Sequence, residues 1–462
     1  MQKRITWFTL AFVVTTLACS FNLAGSGARP STSRPATAAP LTPMPPTPAG
    51  APSGTPAAQT TAAVPNLRAV FGAPVTFGTH ADFQSYGFVV GPSDGQFGAI
   101  PAGNGSYTFY GVAGSSATCP GTPNARDSVY TFMGTLDHVS GSNCTKLFGP
   151  GDGPAGWVFD KNYAGGGQVI RFASAGRSGW LMPFHGEVWW DNPANADHTC
   201  NNLPVVACFY SALGLAVSTD NARTFKVVGQ IMQPAQALQD FMGKGMDMSV
   251  GYGSLIVADA HGQHLDNPPP DPGRAFFYLF FTDFLAGAPG ACATAPCLGV
   301  ARAPYANVAA AALSGDPQQV ATVFHKFDRA APDPWTQPAT SDTPDESKAA
   351  GAFAPLWTDD SPISPAVIYD SLFNAYLAAY HTSKGIEVRA SSDLIHWSEP
   401  LGAPYAEPGQ KLYTTTLIGE AGDPLTGGAA PRLYFSTFPS ASFPNWKFAV
   451  LESVPVELSR GK

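Results

Sequence analysis

From about residue 66 onward the chain is written in short runs of β-branched and aromatic residues, with turn residues between them and hardly any sustained helical stripe. The main helical candidate is Ala306–Leu313, and it is short. The runs group into threes: a first strand with Gly or small residues, a strongly aromatic or aliphatic second, and a third after a longer loop. The clearest triplet is Ala366–Tyr369, Ala375–Tyr380 and Gly385–Ala390, with Asp370–Asn374 as its first turn. The same order recurs at Phe97–Pro101, Tyr107–Val112 and Ser128–Met133; at Gln168–Phe172, Gly179–Trp190 and Gly214–Val217; at Met248–Val257, Ala275–Thr282 and Leu298–Ala301; and at Tyr413–Ile418, Arg432–Ser436 and Lys447–Glu452. Small sheets with unequal spacing predict an all-β fold, a five-bladed β-propeller rather than a sandwich. Pro74–Phe77 or Gly87–Val90 is expected to complete the last blade and close the ring.

The first residues follow a different pattern. Lys3 and Arg4 precede an apolar stretch, Ile5–Leu17, that ends on Ala18 and Cys19. That is signal-peptide order, and the stretch is shorter than the roughly 20 residues a bilayer span needs. Thr16-Leu17-Ala18-Cys19 resembles the end of a bacterial lipoprotein signal, with the Leu one place late. The resemblance implies a lipid anchor on Cys19 and an exported, membrane-anchored chain at the bacterial cell surface or envelope; an ordinary secretory cleavage is the alternative. Residues 20–65 are Ala, Thr, Pro, Ser and Gly with almost no aromatic or charged residues after Phe21. They cannot bury enough apolar surface to offset their ordering entropy, so a disordered linker is expected there, with the propeller domain over 66–462.

Composition narrows the function. Charged residues make up 13% of the chain and the net charge is −8, which excludes a basic nucleic-acid surface. Of seven cysteines, Cys19 stands apart, and the other six can all pair in an oxidising compartment. Spacing suggests Cys119 with Cys144, Cys200 with Cys208, and Cys292 with Cys297, with other pairings open. No C-x-x-C occurs, so no zinc site is expected, and no cofactor. The expected state is a monomer.

Two short motifs carry a family resemblance. Ser218-Thr219-Asp220-Asn221-Ala222-Arg223-Thr224-Phe225 looks like the Asp-box of sialidase-type propellers, with Ala222 in place of Gly and Phe225 in place of Trp. Ser391-Ser392-Asp393-Leu394-Ile395-His396-Trp397 resembles the variant found in five-bladed glycoside hydrolases of the arabinanase and levansucrase type. Asp in such a turn accepts backbone N–H bonds, so Asp220 and Asp393 are expected to mark the fold and not to catalyse. The resemblance implies a glycosidase-like propeller whose carboxylates surround a central funnel.

Propeller topology then selects candidates, because first-strand starts and second-strand ends meet at one mouth. Asp94 and Asp247 lie at first-strand starts, and His185, Glu187, Asp283 and His381 lie at or near second-strand ends. Glycoside hydrolysis needs a proton donor and a base or nucleophile on opposite sides of the scissile bond. Glu187, beside Trp189 and Trp190, is the leading acid, and either Trp could stack a sugar ring. Asp247, between Met246 and Met248, is the leading base or nucleophile, while Asp94 in Ser93-Asp94-Gly95 is turn chemistry first and catalysis second. His185, Asp283 and His381 are assigned to substrate binding. His261, His264 and Asp266 fall on the opposite face and read as a polar loop. These assignments point to a propeller that acts on or binds a glycan; the alternative is a non-catalytic propeller that binds carbohydrate or protein at the cell surface.

Overall fold

A computed structural model describes residues 66–88, 91, 94–113, 127–142, 145–189, 209–237, 249–285, 296–341, 347–357, 361–420, 422–442 and 445–461. Cys19, Cys119, Cys144, Cys200, Cys208, Cys292, Trp190 and Asp247 lie outside the described residues. Cys297 is fully buried and disulfide-bonded, with its partner outside them.

The strands form five separate sheets, each antiparallel apart from one short parallel bridge, in a five-bladed β-propeller. Each blade runs outward from an innermost strand: Gly98–Gly103, then Tyr163–Gly165 with Ile170–Ser174, then Val250–Asp259, Ile363–Asp370 and Gln410–Ile418. The triplets anticipated from sequence form the inner three strands of every blade. In the last blade the third strand starts later than expected, at Val450, because Trp446–Phe448 turns as a short 3-10 helix.

Where the inner strands crowd toward the axis, glycine is required by space. A Cβ on Gly167 would stand 2.2 Å from the Pro183 carbonyl oxygen, and one on Gly98 would stand 2.1 Å from Val169. The channel is also closed by polar side chains that reach across it. Gln96 of the first blade donates to the Pro365 carbonyl at 2.7 Å, and Gln168 of the second donates to the Val367 carbonyl at 3.1 Å, both in the fourth blade. Ser254 of the third donates to Gln168 at 2.5 Å. Paired with acceptors, these buried donors avoid the penalty of an unmade hydrogen bond, although the Gln96 side-chain oxygen has no partner among the described residues.

The ring closes by chain ends. Leu67–Phe71 and Val75–Gly78 both pair antiparallel with Val450–Arg460, so the closing strands come from residues next to the N-terminal segment. Of the two closing segments anticipated, the one around Pro74–Phe77 takes this place; Gly87–Val90 forms no strand in that sheet among its described residues. Phe77 from the closing strand packs edge-on against Phe109 at 5.2 Å and Tyr434 at 5.4 Å, joining the first and last blades through one aromatic cluster. The pairing of Leu67 with Arg460 places both ends of the body on the face where inner strands finish, opposite the mouth.

Helix Tyr305–Ser314, close to its expected span, follows the third strand of the third blade and ends on Gly315 in the left-handed region. It is an insertion that fills the seam with the second blade: Tyr305 stacks on Phe277 at 4.6 Å and its hydroxyl accepts the Ala173 N–H. Asp220 and Asp393 hold their own turns, accepting the N–H groups of Thr224 at 3.1 Å and of His396 at 2.8 Å. No described helix is long and apolar enough to cross a membrane.

Candidate functional site

The mouth is the side on which inner strands begin, and its deepest side chains come from every part of the chain. Strand Arg177–Trp189 is the longest among the described residues, and its end stays paired, Glu187 with Tyr163 and Ser211 and Trp189 with Phe209. His185, Glu187 and Trp189 alternate onto one face because side chains repeat every two residues. Register sets Glu187 opposite Tyr163 on the inner strand. The His185 Nε2 donates to Glu187 Oε1 at 2.8 Å, and the Trp189 indole N–H donates to Oε2 at 2.6 Å. A carboxylate only accepts, so the imidazole here carries its hydrogen on Nε2. Asn162 anchors the same strand end, its side chain accepting from the Trp189 N–H at 2.8 Å.

Three further blades contribute through a repeated backbone feature. Tyr252, Ser364 and Thr414 take positive φ angles of 55°, 57° and 55°, and in each case the pairing register with the next strand slips at that point. These are β-bulges at the starts of inner strands, where an extra residue re-aims a side chain. Non-Gly residues in the left-handed region carry strain of roughly 1 kcal/mol or more, and such strain gathers at working sites. In the third blade the bulge brings the Tyr252 ring parallel to His185 at 5.8 Å, and in the fifth it sets the Tyr413 hydroxyl 3.1 Å from that of Tyr252.

Asp94 sits within this ring of groups. The Tyr163 hydroxyl donates to its backbone carbonyl, and Tyr413 reaches its carboxyl. Asp94 is half-buried. Burial pushes that carboxyl well above the usual range for an aspartate, and the charges of Glu187 and then Asp127 push it the same way; only the Tyr413 hydrogen bond opposes them. Tyr163 and Tyr413 are raised well above an ordinary phenol, first by burial, and the charges of Asp94 and Glu187 add to this. Asp94, Glu187, His185, Trp189 and three tyrosines therefore form one coupled cluster.

Of the residues selected from sequence, Asp94, His185, Glu187 and Trp189 come together. Asp283 goes elsewhere: it has no exposed surface, accepts the Leu285 N–H at 2.8 Å, and faces Lys326 inside the third blade. It was expected to face the funnel because it ends a second strand, but its side chain turns into the sheet stack. His381 is 7% exposed and lies against Lys411 and Leu412 of the fifth blade. Burial first, and then Lys411, lowers its pKa to about 4, so it is neutral at pH 7. Tyr163, Tyr252 and Tyr413 were missed. Each stands at an inner-strand start, a position the triplet pattern marks, but the bulges that aim two of them leave no trace in residue type. Among the described residues no group of three or more His, Cys, Asp or Glu is arranged to hold a metal.

No family model matches the sequence, and no curated protein matches it. Solved structures do resemble the chain in outline. The catalytic domain of the Coprinopsis cinerea GH62 α-L-arabinofuranosidase is 11% identical at a TM-score of 0.41, with 85% of this chain and 97% of that one covered. The Podospora anserina α-L-arabinofuranosidase, in complex with cellotriose, is 12% identical at 0.41, with 85% and 98% covered. A family 117 glycoside hydrolase from Zobellia galactanivorans is 8% identical at 0.44, with 85% and 90% covered.

Proposed function

We propose that the propeller acts on a glycan at this mouth, as a glycoside hydrolase in which Asp94 and Glu187 form the carboxyl pair. The observation that carries the reading is their convergence: two acids from different blades, electrostatically coupled, ringed by Trp189 and three tyrosines on which a sugar can lie. The environments divide the roles. Asp94, whose proton is retained by burial and by neighbouring charge, suits the donor to a leaving oxygen. Glu187 accepts an N–H on each oxygen, which suits a carboxylate fixed as base or nucleophile. This reverses the role expected for Glu187 from its sequence neighbours and gives Asp94 the part of proton donor. Tyr413 would steer the Asp94 carboxyl.

A chromogenic-glycoside screen and a glycan array on the full chain test the reading, repeated with Glu187→Gln and Asp94→Asn. Turnover that falls in both variants is expected. Glycan binding with no turnover of any glycoside would instead establish the binding propeller, and turnover unchanged in both variants would remove this pair.

We infer in addition that residues 1–19 export the chain and that Cys19 takes the lipid, leaving 20–65 as a spacer between anchor and a monomeric body. The order of basic, apolar and small residues supports it. Cys297 in its disulfide fits the same oxidising compartment, with Cys292 as the proposed partner. Incorporation of labelled palmitate that is lost in Cys19→Ser tests the anchor; equal labelling of the variant contradicts it.

A further inference from the structure

We propose that Tyr252 is a positioning residue for both mouth carboxyls: its hydroxyl completes a hydrogen-bond chain through Tyr413 to Asp94, and its ring steadies the His185 that holds Glu187. The proposal rests on Asp94 and Glu187 as the working pair and adds the group that ties them together. Tyr252 is 7% exposed, and its hydroxyl lies 3.1 Å from that of Tyr413, whose side chain hydrogen-bonds the Asp94 carboxyl. Its ring stands parallel to His185, with 10° between the planes and 5.8 Å between centroids, and also meets Phe284 at 6.1 Å. His185 in turn donates to Glu187 at 2.8 Å. One side chain of the third blade therefore touches the support of each acid, Tyr413 from the fifth blade and His185 from the second.

Two bulges make this meeting. Tyr252 takes φ 55° where the register slips between Gly251 and Ser254, and Tyr413 precedes Thr414, which takes φ 55° at the slip in the fifth blade. Each bulge spends backbone strain to re-aim a side chain. A ring used only as a platform for sugar would not need its hydroxyl in register with another. A hydroxyl has one hydrogen to give and can also accept. When Asp94 is ionised, Tyr413 donates to it and accepts from Tyr252, so both O–H dipoles point at the charge and each bond strengthens the other. When Asp94 is protonated, the Tyr413 hydrogen is free to turn toward Tyr252. Tyr252 thus favours the ionised carboxyl, against the burial and the charges of Glu187 and Asp127 that keep its proton on. Tyr163 donates to the Asp94 backbone carbonyl, outside this chain, and Lys411, on the strand of Tyr413, acts on His381.

Carboxyl titrations followed by carbon-13 NMR on the full chain test this without any glycoside, with the Asp94 signal assigned by its loss in Asp94→Asn. Tyr252→Phe keeps the ring and should raise the proton affinity of Asp94 about threefold, the low end of what one hydrogen bond is worth. Tyr413→Phe should raise it more, and Tyr252→Phe added to Tyr413→Phe should change it no further, because the hydroxyl acts through Tyr413. Tyr252→Leu should speed exchange of the His185 Nε2 proton with water about fivefold, the worth of one aromatic contact, while Tyr252→Phe leaves that rate alone. An unmoved Asp94 in Tyr252→Phe, the same shift with and without Tyr413, or a His185 proton indifferent to Tyr252→Leu would each overturn the proposal. A chain that gives the expected shifts and cleaves no glycoside keeps Tyr252 in this role and loses only hydrolysis.

Discussion

Asp94 and Asp283 are two aspartates deep in the same propeller, one at the start of an inner strand and one at the end of a second strand, and they are treated in opposite ways. Asp283 lies in the field of Lys326, whose ammonium donates to the carbonyls of Gln233 at 2.7 Å and Gly351 at 3.0 Å. Burial raises that acid and lowers that amine, and each partner's charge pulls the other back. Asp94 meets Glu187 and Asp127, and among the described residues the charges that act on it make its ionisation harder. An interior that only has to be stable pairs its charges, because an uncompensated one costs several kcal/mol. A cluster that gathers like charges, as the mouth does, gives up stability, and the proposed function supplies a reason for it.

The largest way to break the contrast is at the paired site. Lys326→Met leaves Asp283 without its cation and should cost about 3–5 kcal/mol in a urea-unfolding experiment. A loss below 1 kcal/mol would mean that Asp283 is no better supported than Asp94.

Asp160 sharpens the middle ground. It is 1% exposed, a short step before Asn162 and Tyr163, and burial pushes its carboxyl up to about 6. A folded pKa above the unfolded one means that the native state holds the proton more tightly. Its contribution is fully present below pH about 4 and is lost as the pH rises through 6. Asp160→Asn should therefore stabilise the protein at pH 7 by something on the order of 1–3 kcal/mol and do little at pH 4. Equal effects at the two pH values would contradict the burial argument.

Tyr413→Phe acts on the mouth itself. The hydroxyl draws Asp94 down against burial, so its loss should raise Asp94 further and move the alkaline limb of turnover to higher pH, with kcat reduced about tenfold or less. A limb that moves the other way would take the donor role from Asp94.

The smallest effect is expected on Val450–Arg460, the strand that the closing strands pair with. There Glu452, raised to about 8 by burial and then by Glu407, lies beside the Tyr405 to Glu407 hydrogen bond. Its stabilising contribution is complete below about pH 4.5 and is lost as the pH passes 8. Glu452→Gln should flatten the fall in melting temperature between pH 5 and 9, and an unchanged slope would contradict the raised Glu452 carboxyl.

The outline of this fold was legible in the sequence because it rests on period and punctuation. Ala375–Tyr380 reads as a buried strand from its composition alone, and Asp370–Asn374 reads as its turn. What escaped depends on partners far along the chain. Short outer strands such as His325–Lys326 and Val139–Gly141 exist only because a neighbouring edge offers them hydrogen bonds. The helix His80–Ser85 did carry a signal, Thr79 capping Asp82 and Asp82 returning to Thr79, but it is too short to show a stripe. At the site, strand-end topology picked out Glu187, His185 and Asp94, which the structure places near one another. The same rule set Asp283 at the funnel, whereas its side chain is buried near Lys326 of an outer strand of its own sheet.

The central claim, that the mouth carboxyls are held for chemistry while Asp283 is held for stability, meets its most direct test in Asp94→Asn. Its urea midpoint and its turnover, or its ligand affinity if the propeller only binds, should be measured on one preparation at pH 7. The account predicts a midpoint equal to or above that of the parent and a function at least about a hundredfold lower, the usual scale for a lost acid–base group. A midpoint that falls as far as in Lys326→Met, with function retained, would contradict it.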